Sequence, residues 1–288
     1  MRPRLYTFVA ALLLQLALAQ TVVVDDLGRE VTLAAPPARV VSMLPSHTES
    51  VCALSACDLL VGVDRHTDLE GLGELPRLGD AFAPDLEAIV ALEPDLVLVD
   101  EYSGLHTSLE ALGVTAYAGS PQTVEETYVF LADLGRLLGR EGEAAAVVAG
   151  LREELAEVGA ALAGVEAPAV FVEVDPTPYS VGEGSYLHEL IVLAGGRNVV
   201  PATLGPFPQV DPEFVVLEDP EVVLLLDAPF GVTAADVAQR PGWEGLRAVA
   251  DGRVVELVDE EVDALSRPGP RLGEAVRLLA RLFHPELF

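Results

Sequence analysis

The chain has 288 residues, 46 of them acidic and 17 basic, for a net charge of −29. Every basic residue is arginine, which excludes a phosphate-loop lysine and Schiff-base chemistry, and the charge repels nucleic acid and anionic lipid surfaces. An apolar fraction of 51% argues against disorder, and the length allows one large or two medium domains.

Arg2 and Arg4 precede an apolar run over residues 5–18, and Ala17-Leu18-Ala19 has the A-x-A form of a cleavage site. Residues 1–19 therefore read as a signal peptide cleaved after Ala19. A signal anchor is the competing reading, disfavoured because the run is short for a membrane span. No Cys follows the cleavage point, so no lipid anchor is expected and the mature chain is placed in the periplasm. Cys52 and Cys57 are the only thiols. In an exported chain they can form a disulfide if the helix carrying Cys52 ends near residues 54–56; otherwise they are two packed thiols. Two thiols alone do not complete a metal shell.

Residues 22–25 and 29–33 flank Asp26-Leu27-Gly28 and read as a hairpin. Pro36 and Pro37 break the chain before a strand over 39–42. Ser46-His47-Thr48-Glu49 has the spacing of a capping box ahead of a helix to about Leu54. A strand over 59–63 follows. Residues 85–100, D-L-E-A-I-V-A-L-E-P-D-L-V-L-V-D, form an αβ unit: an Asp cap, a short helix stopped by Pro, then a buried strand. A helix over 105–112 and a strand over 114–117 complete a first half.

Residues 123–162 lack Pro and are helical in pattern, with a weak break at 139–142. Alternation restarts with a strand over 169–174 and a helix over 185–194. Residues 211–227, D-P-E-F-V-V-L-E-D-P-E-V-V-L-L-L-D, then repeat the first unit with the same Glu-to-Pro spacing. A strand over 253–258 and an amphipathic helix over 271–283 close the chain. The pattern predicts an α/β protein of two Rossmann-like lobes joined by one long helix. The lobes span residues 20–140 and 165–288, with the connecting helix over 141–164.

Enzyme templates fit poorly. The chain has no G-x-S-x-G, no H-E-x-x-H and no dinucleotide glycine motif after a strand, and its five histidines are scattered. No catalytic residue, metal ligand or cofactor is assigned. Ligand binding is better supported, because open α/β sheets bind beyond the carboxyl ends of their strands. The loops expected there carry isolated aromatic and polar residues: His66, Phe82, Tyr102, Tyr179, Phe207, Asp263 and Arg267. Each also has a plainer reading, as loop packing for the aromatics and His66, and as a surface ion pair for Asp263 and Arg267.

R-V-V-S-M-L-P-S-H-T-E, L-V-G-V and the 85–100 unit resemble the periplasmic binding proteins of cobalamin, haem and ferric-siderophore ABC importers. G-P-F-P-Q-V-D-P-E-F-V-V-L-E-D-P-E-V-V-L-L and L-S-R-P-G-P-R-L extend the resemblance over most of the chain, and P-F-P-Q-V points toward the cobalamin branch. The resemblance implies the class III periplasmic binding protein fold, with a ligand held between lobes that hinge little. It implies delivery by a monomer to a permease dimer, with Glu87 and Glu213 meeting permease arginines. Helix-dipole preference alone would also favour each Glu in a first turn. It further implies cobalamin contacts at His66, Tyr179, Phe207, Asp263 and Arg267. Phe207 stands where that branch usually has Trp, His66 where an aromatic is usual, and Ala81 where Trp is frequent. The ligand expected is a cobalt corrinoid, with an iron chelate such as haem or a ferric siderophore as the alternative. A chelatase-like metal-dependent enzyme is the remaining alternative of a different class.

Overall fold

A computed structural model describes residues 20–288; the leader expected over residues 1–19 lies outside the described residues. β1 (Thr21–Val24) and β2 (Glu30–Leu33) pair as the antiparallel hairpin expected. The first half then runs β3 (Val40–Ser42), α1 (Pro45–Ala53), β4 (Leu60–Val63), the two-residue strands β5 (Gly79–Asp80) and β6 (Ala83–Pro84), α2 (Leu86–Ala91), β7 (Leu96–Val99), α3 (Leu105–Ala111) and β8 (Ala116–Ala118). Two helices follow, α4 (Val124–Leu138) and α5 (Glu141–Ala161). The second half comprises β9 (Ala169–Glu173), α6 (Tyr186–Leu193), β10 (Arg197–Asn198), α7 (Pro212–Glu218), β11 (Val222–Leu225), α8 (Ala234–Ala238), α9 (Arg247–Ala250), β12 (Val254–Glu256), α10 (Asp259–Ser266) and α11 (Leu272–Phe283).

Each half holds a parallel four-stranded sheet, ordered β4-β3-β7-β8 in the first and β10-β9-β11-β12 in the second. β7 and β11 occupy the same third place. Every residue of both is buried, as strands covered by helices on two faces must be. One face of the first sheet packs Val41, Val97 and Val99 against Ile89, Leu105 and Leu109. On the other face, an apolar cluster continues through α4 and α5 to α6 and α11 in the second half.

α5 is the long bridging helix. Its 21 residues extend about 32 Å at the α-helical rise. Ala144, Leu151 and Val158, spaced by seven, are its buried stripe. Near its start Ala144 packs against Gly135 of α4, and further along Glu154 meets Arg277 of α11 at 2.8 Å.

Three local expectations change. α1 begins at Pro45, in the first-turn position that proline suits, so Ser46 lies inside the helix and caps nothing. Glu49 is drawn to Arg267 instead, 2.7 Å away and 218 residues on. β8 starts later than expected because Gly113, at φ 77°, closes α3 and the Val114 N–H bonds the Leu109 carbonyl. Likewise β12 starts at Val254, because the Arg253 N–H closes α9 on the Ala248 carbonyl. α1 ends at Ala53, Ser55 turns left-handed at φ 55°, and Cys52 and Cys57 form a disulfide with Cα atoms 4.4 Å apart.

Candidate ligand cleft and docking carboxylates

Loops carry the predicted residues His66, Phe82, Tyr102, Tyr179 and Phe207, whereas Asp263 lies within the helix α10 and Arg267 at its end, not on a loop as expected. After β4, the Asp64 carboxylate accepts the His66 N–H at 2.7 Å and the Thr67 hydroxyl, which fixes a tight turn. The His66 ring stays exposed, with Nε2 3.8 Å from Asp80. Asp80 organises the next loop, pairing with Arg65 and accepting the N–H groups of Phe82 and Ala83 at 2.9 and 2.8 Å. This hairpin holds Phe82 out in solvent. After β7, one Asp100 oxygen accepts the N–H groups of Tyr102 and Ser103, both at 2.6 Å, and Tyr102 is exposed. A hydrogen bond to Glu101 and partial burial push the Tyr102 phenol up to about 12, so it remains a neutral donor.

In the second half, the Val174 N–H donates to the Tyr179 carbonyl, and the Ser180 N–H donates to Pro208. These bonds tie the Tyr179 loop to the Phe207 loop. Phe207 lines a cavity of about 240 Å³ with Val174, Leu226 and Leu265 from its own half and Pro121 and Gln122 from the other. Asp263 sits on α10, and Arg267 follows it. Arg267 is not free: it pairs with Asp263 and reaches across to Glu49 on α1. The Glu49 side chain is 9% exposed and its second oxygen finds no partner among the described residues. Burial raises its affinity for a proton, and Arg267 opposes that. A cleft of about 610 Å³ beside this pair is lined by Glu49, Asp68, Asp259, Asp263, Arg271 and Glu274. A further cavity of about 650 Å³ lies between α4 and α5 and touches none of the predicted ligand residues.

The structure thus groups His66 with Phe82 around Asp80, Tyr179 with Phe207, and Asp263 with Arg267. Tyr102 stands on a loop of its own. Glu87 and Glu213 are exposed in the first turns of α2 and α7, each two residues after an Asp cap. Sequence reading missed the Glu49–Arg267 tie, which no local pattern signals. It also missed the exposed Phe230 beyond β11. Among the described residues no group of three or more His, Cys, Asp or Glu is placed to hold a metal ion, and no helix is long and apolar enough to cross a membrane.

Residues 40–261 match the family model described as periplasmic binding protein. The chain belongs to that family. It is 30% identical over 281 residues to the ABC transporter substrate-binding lipoprotein YvrC of Bacillus subtilis, covering 93% of this chain and 87% of that protein. It is 29% identical to a cobalamin-binding protein of Halobacterium salinarum, covering 90% and 73%. Among solved structures, the periplasmic haem-binding protein RhuT of Roseiflexus matches with a TM-score of 0.74 and 26% identity, over 87% of this chain and 99% of that one. The fold is the class III periplasmic binding protein fold that the resemblance implied. Members of this family are substrate-binding proteins of transporters, not enzymes.

Proposed function

We propose that this chain captures a corrinoid, cobalamin, between its two halves and delivers it to an ABC importer. In this reading it works outside the cytoplasm as a single copy, its leader removed after Ala19. Glu87 and Glu213 meet basic side chains of the permease dimer. His66, Phe82, Tyr102, Tyr179 and Phe207 contact the ligand, with Asp263 and Arg267 at the cleft edge.

The observation that carries the ligand assignment is how the cations at the cleft are used. Arg65 is taken by Asp80, Arg267 by Glu49 and Asp263, and Arg271 by Glu274. An anionic ligand such as a haem dicarboxylate or many ferric chelates would meet acidic walls on which these three arginines already hold carboxylates. A corrinoid with an amide periphery asks only for aromatic faces and neutral donors. The likeness to a cobalamin-binding protein supports the same choice.

Equilibrium titration with cyanocobalamin, haemin and a ferric hydroxamate tests the assignment. Tight binding of cyanocobalamin alone is expected; tight binding of another probe alone overturns it. In vesicles carrying the importer, the double variant Glu87→Arg, Glu213→Arg should keep its ligand affinity and lose uptake. Unchanged uptake would remove the docking role.

A further inference from the structure

We propose that Phe230 contacts the ligand, as the second-half counterpart of Tyr102, so that the loop after the third strand of each sheet adds a ring against a broad flat ligand. The proposal rests on the corrinoid reading and names a side chain that the resemblance did not supply. It starts from topology: β7 and β11 hold the same third place in their sheets, and each ends in a short loop at the carboxyl edge.

The two loops match in construction. Residues 100–104 open on Asp100 and close on Gly104 at φ 71°; residues 227–231 open on Asp227 and close on Gly231 at φ 97°. A left-handed residue closes each turn, where glycine is tolerated without strain. Ahead of that glycine each loop carries one aromatic, Tyr102 two residues before Gly104 and Phe230 one residue before Gly231. In the first loop the turn is held by the Asp100 side chain. In the second it is held by backbone bonds from the Phe230 N–H to the Asp227 carbonyl and from the Gly231 N–H to the Ala228 carbonyl, both 2.9 Å. Pro229 adds a fixed φ.

Phe230 is 88% exposed, the highest value for any large apolar side chain among the described residues. The turn is complete without it, so the ring contributes little to folding. Held in water, it has its full apolar area available for a ligand. The other second-half aromatics assigned to the ligand, Tyr179 and Phe207, are both less exposed.

The test measures Kd for cyanocobalamin and haemin, melting temperature, and uptake at saturating ligand, for the wild type, Phe230→Ala, Phe230→Trp and Tyr102→Ala. Phe230→Ala should raise Kd about tenfold, the change expected when roughly 1.4 kcal/mol of ring contact is lost. Its melting temperature and saturating uptake should not move, and Phe230→Trp should bind at least as tightly as the wild type. An unchanged Kd in Phe230→Ala overturns the proposal. So does a fall in saturating uptake at constant Kd, which would make Phe230 a permease contact. If haemin binds and cyanocobalamin does not, the corrinoid reading falls and the haemin Kd ratio judges Phe230. If neither binds, both fail.

Discussion

The units at residues 85–99 and 211–225 agree in backbone to a degree their side chains do not require. Ile89 and Val215 are both fully buried, and the next residues, Val90 and Val216, are 37% and 38% exposed. Glu93 and Asp219 both turn left-handed, at φ 47° and 45°, immediately before a proline. The strand that follows enters its sheet in the same way: Val97 donates to Thr115 at 2.9 Å and Val223 to Arg253 at 3.1 Å. The two units part company beneath the cleft. In the first half Asp100 spends one oxygen on a turn, while the buried His47 donates from Nε2 to the Gly119 carbonyl at 2.9 Å and lies 4.9 Å from the Phe130 ring. In the second half Asp227 is buried with neither oxygen paired among the described residues, beside a fully buried Glu173 that Arg240 neutralises. The lesson is that the duplication conserves the frame and the exposed acid, while each half has its own means of burying polar groups.

The largest effect should come from breaking the second-half solution. Arg240 bonds Glu173 through both terminal nitrogens, one at 2.7 Å, and lies 4.8 Å over the Trp243 ring. Arg240→Ala leaves a buried carboxylate alone, which costs about 3–5 kcal/mol. For a chain this size the melting temperature should fall by roughly 10 °C. The first half buries a similar pair, Asp25 with Arg29, but that carboxylate also accepts the N–H groups of Leu27, Arg29 and Ala118. Arg65→Ala, which removes an exposed partner of Asp80, should change stability by less than about 1 kcal/mol. Differential scanning calorimetry of the two variants decides whether the contrast is real.

A smaller effect separates the halves by pH. Burial lowers His47 to about 4, so it resists protonation in the folded state, and its contribution is complete above about 6.5 and lost as pH falls toward 4. Burial and the nearby Glu173 raise Asp227 to about 6. Its sign is opposite. Stability from the retained proton is present below the unfolded carboxylate range and is lost as pH rises through about 6. Asp227→Asn should therefore be more stable than the wild type at pH 7 by about 2–3 kcal/mol and equal to it near pH 4. The variant should also show more acid lability between pH 6.5 and 4, because the Asp227 proton no longer offsets His47. A wild-type-minus-variant difference that is flat with pH would remove Asp227 from this account.

What the sequence could show of all this follows from range. The hairpin, the alternation, the duplicated unit and the long helix are written in spacings under about twenty residues, and they were readable. The end of α1 was also foreseeable, because a bond between Cys52 and Cys57 demands a break between them. The failures are non-local. Glu49 looked like a capping partner for Ser46 because the competing partner, Arg267, comes from the other half. The pairing of Arg267 with Asp263 was one of two readings of that segment, but nothing near Arg267 in the chain indicates Glu49. Phe230 was passed over because the loop after β11 has one more residue than its counterpart, which hides the match with Tyr102 until both strands are seen in the same sheet position.

The finest comparison concerns the two helix starts. The Asp85 carboxylate accepts the Ala88 N–H at 3.0 Å, and that of Asp211 accepts the Glu213 N–H at 2.9 Å. Both helices are short, at six and seven residues, so each depends on its cap more than a long helix would. They differ at the first helical position, where α7 has Pro212 and α2 has Leu86. The proline presets the helical φ and has no N–H to satisfy, so part of the cap's work at α7 is done by the ring. Asp85→Ala should then cost about 1 kcal/mol and Asp211→Ala about 0.5 kcal/mol, measured by urea unfolding. Because the caps share no partner, the double variant should lose the sum to within roughly 0.5 kcal/mol. A cost at Asp211 equal to or above that at Asp85 would mean Pro212 does not preset the start of α7. An excess in the double variant would mean that the shared core couples the two units energetically.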